Sequence, residues 1–395
     1  IDFINLLGQP FGHLARKGLF KMIDLVIVNY NSSELLNDCL ASIKSSCNGA
    51  KPNVVVTDNG SRDPIEYIRK TYSDITIVRN KENIGYSRAI NATLSTTDAP
   101  YVILLNPDTI VLTDHFLESI AAFMDLHPDV GILGPGVLDP DGRIQGSARS
   151  FPRFHSLFFG RRSLLTKIFP QSRLASANIL TKNANNTEPL EVDWVSGACM
   201  VIRRHALQQV GMMDERFFMY WEDVDWCKRM WDMGWKVMYW PGVKIMHHVG
   251  GSSESRVVRS VLEFHKSALL YFNKHVKKYR SLILPPIYAA ISLRFFGILF
   301  LQFMTRTFSY FIKKPDTVEE TAQTWLYRSC IKNEFANDSY KELLRSKFEN
   351  GKPDSVIPTA RPGSHQIPNY GELSARSHGK ANKVIQLLRF KVPNK

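Results

Sequence analysis

Short apolar runs alternate with segments of helical periodicity through the first third of the chain. The run IDLVIVNY at 23–30 is nearly all apolar and β-branched, which is typical of a strand covered on both faces. The next segment carries apolar residues at helical spacing from Leu35 to Ile43, and Ser32 or Ser33 can cap its start. The same alternation predicts further strands at 53–61, 75–78, 101–105 and near 130–133, and further helices at 65–72, 86–95 and 113–127. We therefore predict an α/β fold, with a parallel sheet and helices on both of its faces.

The carboxyl ends of the predicted strands are polar, and ligands of such sheets bind at those ends. The polar residues that follow the first four strands are Asn29, Tyr30 and Asn31, then Asp58 and Asn59, then Asn83 with Gly85, and last Asn106, Pro107 and Asp108. An acid at the end of the second strand is well placed to accept hydrogen bonds from a ribose or a base. Taken singly, Asp58 could instead shape a turn and Asp108 could cap a following helix. Their occurrence at successive strand ends favours a ligand site.

No glycine-rich phosphate loop accompanies these strands. A GxGxxG does not follow the first strand, and GxxxxGK[ST] occurs nowhere in the chain. The phosphates of a bound nucleotide would therefore need another partner. A divalent metal held by Asp108 would supply it, because hard cations bridge carboxylate and diphosphate oxygens.

The stretch FFMYWEDVDWCKR at 217–229 places three carboxylates within four positions, between large aromatic residues. An apolar setting raises the cost of ionising a carboxylate, and a basic carboxylate is what a proton acceptor needs. If the stretch is helical, Asp225 stands four residues before Arg229, and the two can simply pair on its surface. That explanation accounts for one of the three acids and leaves Glu222 and Asp223.

Six motifs resemble, in order, those of the family 2 inverting glycosyltransferases, and more narrowly those of the rhamnosyltransferase-like branch that uses nucleotide-activated sugars. They are VIVNYN, VTDNGSRD, NIGYSRAIN, LLNPDTIV, VDWVSGACMVIRR and FFMYWEDVDWCKR. The resemblance covers residues 22–255. It implies the GT-A fold, in which a Rossmann-like nucleotide-binding half is joined to an acceptor-binding half around a mixed central sheet.

The resemblance assigns roles to the strand-end residues. It implies that a nucleotide-diphosphate sugar is bound by Asn29, Tyr30, Asn31, Asp58, Asn83, Gly85, Arg88 and Asn106. Within this set, Asp58 would hold the base or the ribose. NPD stands where the family has its DxD motif, so Asp108 would be the principal ligand of a Mg²⁺ or Mn²⁺ ion. Asn106 replaces an aspartate of many relatives, which leaves one negative charge fewer near that metal.

The resemblance also implies the groups that perform the transfer. An inverting displacement needs one base for the acceptor hydroxyl, and Asp223, the second member of the ED pair, takes that role. Glu222 would orient the acceptor or a backbone amide. The acceptor pocket would be formed by Trp194, Ser196, Gly197 and Trp221. The family often supplies a histidine to the metal or the diphosphate near MHHVGG, where we choose His247 and keep His248 as the alternative.

The chain divides into four expected parts. An N-terminal extension at 1–21 precedes the transferase domain at 22–255, and a helical region at 256–320 is followed by a C-terminal helix and tail at 321–395. The very apolar stretch at 282–304 could span a membrane or form a buried helical hairpin on the catalytic domain. We expect its helices to lie in the membrane interface. The expected lipid anchors are Lys274, Lys277, Lys278, Arg280, Arg306, Lys313 and Lys314.

The formal net charge of +13 indicates an anionic partner. We expect that partner to be the inner face of the cell membrane and not a nucleic acid, because no RNA-binding aromatic signature, zinc-finger spacing or helix-turn-helix pattern occurs. The five cysteines form no CxxC pair and no cleavable signal peptide is evident, which favours a reducing, cytoplasmic setting.

These features together predict a metal-dependent inverting glycosyltransferase of cell-surface glycan synthesis. The donor suggested by the branch resemblance is dTDP-rhamnose, and the acceptor would be lipid-linked or a polysaccharide. A UDP-hexose-using transferase of the same fold and a membrane-associated nucleotide-sugar binder without catalysis remain as alternatives. A processive synthase is disfavoured because QxxRW is missing, and a sugar nucleotidyltransferase is disfavoured because no GxGxR-type loop follows the first strand.

Overall fold

The computed structural model describes residues 22–47, 52–63, 65–152, 179–182, 188–248 and 257–311. The expected N-terminal extension at 1–21 and the expected C-terminal part at 321–395 lie outside the described residues. The described residues all belong to one compact unit of the chain, Ile1–Ala322. They include most of the expected transferase domain and most of the helical region that follows it.

Eleven strands lie within the described residues. They are β1 (Ile23–Asn29), β2 (Asn53–Asp58), β3 (Thr76–Arg79), β4 (Tyr101–Leu105), β5 (Thr109–Val111), β6 (Val130–Leu138), β7 (Ala148–Arg149), β8 (Leu190–Glu191), β9 (Trp194–Val195), β10 (Cys199–Arg203) and β11 (Lys236–His247). Nine of them form one sheet with the order β3-β2-β1-β4-β10-β6-β11-β5, and β8 pairs with β11. The other two, β7 and β9, pair with each other.

Eight α-helices accompany these strands in the described part of the chain. They are α1 (Ser33–Ser46), α2 (Glu66–Thr71), α3 (Tyr86–Leu94), α4 (Phe116–Leu126), α5 (Arg204–Val210), α6 (Glu222–Asp232), α7 (Val257–His275) and α8 (Arg280–Phe311). The bounds of α1 to α4 agree with the predicted helices to within a few residues, whereas no helix was predicted at α5. The predicted side-chain cap of α1 is wrong, because the Ser32 hydroxyl donates to the Tyr30 carbonyl at 3.2 Å instead.

The residues of β1 alternate between two hydrophobic clusters, because successive side chains of a strand point to opposite faces of the sheet. Leu25 and Ile27 belong to the cluster that contains α1 and α4, whereas Val26 belongs to the one that contains α3, α5 and α6. All three are completely buried, as the apolar run predicts. β1 pairs in parallel with β2, and the register sets Asn29 directly beside Asp58. The polar ends of the first two strands are therefore neighbours.

The sheet is mixed, as the resemblance implies, and not purely parallel, as the alternation alone suggests. β10 runs antiparallel between β4 and β6, and β5 runs antiparallel beside β11. The strand β10 was not among those predicted from apolar runs. β10 brings the turn that precedes it, which includes Ala198, to the end of β4. There the backbone amide of Asn106 donates to the Ala198 carbonyl at 3.0 Å.

A third hydrophobic cluster packs α7 and α8 against the start of α6. It joins Phe217, Trp221 and Val224 to buried residues of the two later helices, namely Ala268, Tyr271, Phe272, Leu284, Ile287, Ala290 and Ile291. α8 continues through Pro285 and Pro286. One face of this helical hairpin is therefore buried on the catalytic domain, which is the arrangement of the buried-hairpin alternative.

The opposite face of α8 is apolar and exposed. Its exposed residues include Leu282, Leu293, Phe296 and Phe300. Among the described helices, Arg280–Phe300 is long and apolar enough to cross a membrane, by length and composition alone.

The prediction that Lys274 faces lipid is wrong, because its ammonium lies 2.7 Å from an Asp214 carboxylate oxygen and 2.8 Å from an Asp225 one. Of the other expected anchors, Lys277, Lys278 and Arg280 are exposed, and the side chains of Arg306, Lys313 and Lys314 lie outside the described part.

Four cysteines lie in the described part of the chain, and all are free and buried. They are Cys39, Cys47, Cys199 and Cys227. Burial raises the pKa of the Cys39 thiol to about 12 and that of Cys47 to about 11. It also raises the pKa values of the other two thiols. Since the thiolate is the reactive form, these four side chains act as small apolar core residues.

Candidate active site

The buried side chain of Asn29 links the ends of β1 and β2. Its amide donates to Asp58 Oδ1 and to Ser61 Oγ, both at 3.2 Å. The other carboxylate oxygen of the fully buried Asp58 lies 3.1 Å from Nε of Arg79, whose side chain is 48% exposed. A cavity of about 300 Å³ opens beside this pair and is lined by Gly60, Ser61, Arg79, Asn80 and Lys81. This end of the sheet can therefore offer both an acceptor and donors to a polar ligand.

The loop after β3 is built by side-chain amides. Asn83 Oδ1 accepts hydrogen bonds from the Gly85 amide at 3.0 Å and from Asn59 Nδ2 at 3.2 Å. Gly85 adopts a φ of 94°, and a Cβ there would lie 2.8 Å from the Phe218 ring. The Tyr86 amide also donates to the Phe218 carbonyl at 2.7 Å. Glycine is thus required where this loop meets the aromatic segment before α6.

The remaining residues predicted to bind the nucleotide lie in different settings. Asn31 adopts a left-handed conformation with φ 52°, and its side-chain oxygen accepts a hydrogen bond from the Arg62 amide at 2.8 Å. Tyr30 before it is half-buried. Arg88 on α3 is 60% exposed and pairs with Glu215 at 3.6 Å. The structure therefore brings the strand-end residues together. The Arg88 side chain instead lies against Glu215 in the loop between α5 and α6. Its contact with a nucleotide sugar stays a prediction.

The NPD loop presents the buried carboxylate of Asp108. Its Oδ1 has no hydrogen-bond partner in the described part of the chain, and His247 Nε2 lies 3.4 Å from it without hydrogen-bond geometry. β5 follows the loop directly, so the alternative that Asp108 caps a helix is wrong. The Asp108 carbonyl accepts a hydrogen bond from the His248 amide at 2.9 Å. The end of β11 is thereby fixed against the loop.

Gln145 fixes the tautomer of His247. Its Nε2 donates to Asp139 Oδ1 at 2.7 Å and to the His247 carbonyl at 2.9 Å, so its Oε1 is the atom 3.2 Å from His247 Nδ1. Because Oε1 can only accept, Nδ1 carries a hydrogen, which leaves Nε2 as the ring nitrogen that can offer a lone pair toward Asp108. An unpaired carboxylate oxygen facing an imidazole lone pair fits a divalent cation. No group of three His, Cys, Asp or Glu side chains with metal-binding spacing occurs among the described residues.

A strained turn leads into α6. Tyr220 and Trp221 both have a φ of 70°, a left-handed conformation that costs on the order of 1–3 kcal/mol per non-glycine residue. Aromatic packing holds the turn, since the Trp221 ring lies 5.7 Å from the ring of Phe264 and 5.3 Å from that of Tyr271. α6 then begins at Glu222. The turn thus places the two adjacent carboxylates in the first turn of a helix.

Asp223 and Glu222 differ in how they are solvated. Asp223 is half-buried, and its two oxygens accept hydrogen bonds from the Gly197 amide at 3.0 Å and the Val224 amide at 2.8 Å. Glu222 is buried, and its Oε2 has no partner in the described part of the chain. Burial raises the pKa of both carboxyls, and the charge of Asp223 raises the pKa of Glu222 further, whereas the two amides oppose the rise at Asp223. A proton taken up by this pair therefore goes to Glu222 before Asp223.

The third acid, Asp225, ties α6 to α7. Its fully buried carboxylate accepts hydrogen bonds from Arg229 Nε at 2.9 Å, Lys274 Nζ at 2.9 Å and His275 Nε2 at 2.8 Å. Burial acts to raise the pKa of Asp225, but the His275 hydrogen bond and the two cations outweigh it and lower that pKa. The predicted pair with Arg229 is present, but it is buried and belongs to this larger network. Asp225 is therefore a structural acid.

One of the residues predicted to bind the acceptor contacts the base directly. Ser196 and Gly197 form the turn whose amide holds Asp223. Trp194 lies on β9, and the Arg149 guanidinium carbon is 5.6 Å from the centre of its ring. The charge of Arg149 lowers the pKa of Asp223, so this guanidinium is close to the base as well. The indole of Trp221 is buried, and its Nε1 has no partner in the described part of the chain.

Sequence analysis missed Arg149 and three further residues of the site. The Tyr86 phenol is near enough to Glu222, Asp223 and Asp108 for their charges to add to burial in raising its pKa. Arg79 is the last residue of β3, so the pattern of polar residues at strand ends that indicates Asp58 also indicates Arg79. Gln145 lies outside regular structure, and nothing in its surroundings along the chain indicated a contact with His247, which is 102 residues away.

Comparison with known proteins gives the class. A sequence model of the family described as Glycosyl transferase family 2 matches residues 24–211. The N-acetylglucosaminyl-diphospho-decaprenol L-rhamnosyltransferase of Mycobacterium tuberculosis is 30% identical over 292 residues, which cover 69% of this chain and 91% of that protein. Rhamnosyltransferase WbbL of Escherichia coli K12 is 21% identical over 242 residues, which cover 59% of this chain and 86% of that protein.

The chain therefore belongs to the family 2 glycosyltransferases and is a sugar-transferring enzyme with the GT-A fold. Within that family it falls in the rhamnosyltransferase-like branch, which confirms the resemblance seen in its motifs. A solved structure of GalNAc-T7 with UDP, GalNAc and Mn²⁺ aligns with a TM-score of 0.48 at 17% identity, covering 66% of this chain and 49% of that one.

Proposed function

We propose that the enzyme transfers a sugar, with inversion, from a nucleoside-diphosphate sugar to a hydroxyl of a lipid-linked acceptor. The observation that carries this proposal is the setting of Asp223. Two backbone amides hold its carboxylate, one of them from Gly197 in the predicted acceptor pocket, and buried Glu222, whose pKa is raised well above its usual value, stands beside it. A half-buried carboxylate of raised pKa, next to the predicted acceptor pocket, has the properties of a general base.

The reaction is a single displacement. Asp223 removes the proton of the acceptor hydroxyl while that oxygen attacks the anomeric carbon from the face opposite the diphosphate. The bond to the diphosphate oxygen breaks, and the leaving group takes the electron pair. A protonated Glu222 does not compete for the proton and can donate a hydrogen bond to the acceptor. The nucleobase of the nucleotide sugar would lie in the cavity beside Asp58 and Arg79. That cavity offers both a hydrogen-bond acceptor and hydrogen-bond donors.

A divalent metal, Mg²⁺ or Mn²⁺, fits the pair of Asp108 and His247. The carboxylate oxygen without a hydrogen bond and the imidazole lone pair set by Gln145 support this assignment. When bound, the ion would neutralise charge on the diphosphate. Its remaining ligands would come from outside this pair of side chains.

We propose dTDP-rhamnose as the donor and a prenyl-diphosphate-linked sugar as the acceptor. The support is the relative named an N-acetylglucosaminyl-diphospho-decaprenol L-rhamnosyltransferase, most of whose length this chain matches. We also propose that the enzyme binds the cytoplasmic face of a membrane through the exposed apolar face of α8. The exposed cations Lys277, Lys278 and Arg280 lie at the end of α7 and the start of α8, where they could contact anionic headgroups.

The test is nucleoside-diphosphate release from a panel of dTDP-, UDP- and GDP-sugars, with Mg²⁺, Mn²⁺ or EDTA and a prenyl-diphosphate-linked N-acetylglucosamine as acceptor. Asp223→Asn should lower kcat by about 10³-fold or more and leave the Kd for the donor unchanged, because only the proton acceptor is lost. Asp232→Asn is the matched control, since this acid lies on the same helix and pairs with Lys228 on the surface.

The outcomes separate the possibilities. Release from one donor, dependent on metal and lost in Asp223→Asn, supports the proposed reaction and names the sugar. Substantial turnover in Asp223→Asn rules out the assigned base. If the protein binds a nucleotide sugar but releases no nucleoside diphosphate from any of them, the result would favour a nucleotide-sugar binder that does not catalyse.

A further inference from the structure

The guanidinium of Arg294 on α8 is half-buried without an acidic partner. It makes no hydrogen bond or ion pair with any described residue, and its Nε is enclosed yet unpaired. Its contact is the ring of Phe264 on α7, whose centre lies 5.1 Å from the guanidinium carbon. Burial lowers the pKa of Arg294, and no carboxylate is near enough to oppose that shift. Because a desolvated cation without a counter-charge is costly, such a site stabilises an incoming anion.

The neighbouring His265 does not supply the missing counter-charge. Its Nδ1 lies 2.7 Å from the Val261 carbonyl, to which it donates, and its Nε2 has no partner among the described residues. Burial and then the charge of Arg294 lower the pKa of His265, so the imidazole is neutral at physiological pH. The positive charge at this point of the two facing helices is therefore that of Arg294, and no acid lies near enough to balance it.

Arg294 stands between the catalytic turn and the exposed face of α8. On one side, the Phe264 ring that it covers packs on Trp221 at 5.7 Å, and Trp221 directly precedes Glu222. Along α8 it is flanked by Leu293 and Phe296, which are 72% and 66% exposed. From the catalytic turn outward, the order is therefore a buried carboxylate, aromatic rings, a half-buried cation and exposed apolar side chains.

A prenyl-diphosphate-linked sugar carries its groups in the same order: a reacting hydroxyl, a sugar ring, a diphosphate and an apolar chain. We propose that Arg294 binds the diphosphate of such an acceptor, with the prenyl chain on the exposed face of α8 and the sugar near Trp221. The forked, permanently charged guanidinium suits phosphate oxygens. This inference rests on the proposed function and adds where the anionic group of the acceptor is held.

The first experiment measures binding, without turnover. The full chain is titrated in detergent with farnesyl diphosphate and with farnesol, in saturating dTDP and Mg²⁺ so that the donor site is filled. The wild type should bind the diphosphate at least about tenfold more tightly than the alcohol. Arg294→Gln should lose that preference. Lys266→Gln, which removes an exposed cation of α7 that pairs with Glu263, should keep it.

The second experiment measures transfer to two acceptors. One is N-acetylglucosaminyl farnesyl diphosphate, and the other is octyl N-acetylglucosaminide, which has the sugar but no diphosphate. Arg294→Gln should raise the KM for the first by about tenfold or more, leave the KM for the donor unchanged, and leave transfer to the second at the wild-type level. Its Tm should equal or exceed that of the wild type, because an unpaired charge is removed.

Three results would overturn the inference. If Arg294→Gln and the wild type bind farnesyl diphosphate with the same affinity, Arg294 does not bind the diphosphate, even if the wild type transfers sugar as proposed. An equal loss with both acceptors shows a structural role for Arg294. Loss of the preference when phosphatidylglycerol vesicles replace the detergent shows that a bilayer headgroup occupies the site. If the wild type transfers to neither acceptor, the proposed function fails, and the binding experiment still decides the site.

Discussion

Three carboxylates of α6 show how the surroundings of a residue decide its chemistry. Glu222 is buried without a hydrogen bond to its Oε2, Asp223 is half-buried on two amides, and Asp225 is fully buried beside Arg229, Lys274 and His275. Burial raises the pKa of the first two carboxyls, the charge of Asp223 raises that of Glu222 further, and the partners of Asp225 lower its pKa. Their neighbours in the fold, and not their order in the sequence, separate these roles.

The raised pKa of Glu222 makes a prediction about stability and pH. A carboxyl with a higher pKa in the folded state binds its proton more tightly there, so it stabilises the fold below its unfolded pKa of about 4.3 and loses this contribution as pH rises through the folded pKa. Glu222→Gln should therefore match the wild type near pH 4 and exceed its free energy of unfolding at pH 7.5, by on the order of 1–3 kcal/mol. Urea unfolding at both pH values measures this difference. A gain that is equal at the two pH values would show that ionisation of Glu222 plays no part.

The histidine pair makes a second prediction at this scale. His247→Ala should raise the Mn²⁺ concentration for half-maximal activity by roughly tenfold or more, because it removes the lone pair that faces Asp108. His248→Ala is the matched control, since the contact of His248 with the Asp108 carbonyl is made by its backbone amide, which alanine keeps. Metal titrations of the two variants compare them, and the reverse ranking would move the role to His248.

At the scale of elements, α6 carries the base at its start and, one turn further on, the acid that fastens it to α7. Asp225→Asn should lower the free energy of unfolding by about 3–5 kcal/mol, because it removes the buried negative charge that Arg229, Lys274 and His275 share. Lys274 keeps its second carboxylate, that of Asp214. Asp232→Asn, on the exposed side of the same helix, should cost less than about 1 kcal/mol. Urea unfolding of both variants tests this. Equal losses would mean that the buried network contributes no more than a surface pair.

The elements differ in how far the sequence predicts them. β1 and β4 are continuous apolar runs covered on both faces, so their pattern alone places them within a residue. β10 was missed because its run, CMVIR, was read only as part of a motif. Lys274 looks like a lipid anchor at the basic end of an amphipathic helix, and only tertiary packing brings it to Asp225. Contacts between side chains far apart in sequence, such as Gln145 with His247, leave no periodic signal.

At the scale of the whole molecule, the exposed face of α8 should decide where the enzyme resides. The triple variant Leu293→Ser, Phe296→Ser, Phe300→Ser should lose most of its flotation with anionic vesicles, because it removes exposed apolar area while leaving the face packed on α6 unchanged. Leu126→Ser, at an exposed apolar position on α4, should float like the wild type. Unchanged flotation of the triple variant would exclude α8 as the membrane-binding face. Deleting residues 256–320 is a poorer test, since the hairpin covers Phe217 and Trp221.

The burial of the four described thiols has a practical consequence for spectroscopy. Because their pKa values are raised and their sulfur atoms are enclosed, maleimide reagents at neutral pH will react with them slowly. Replacement of Cys330 alone then provides a background for single-site labelling. A fluorescent or spin label on Leu293→Cys would report the polarity and depth of α8 during turnover, with the native core left intact.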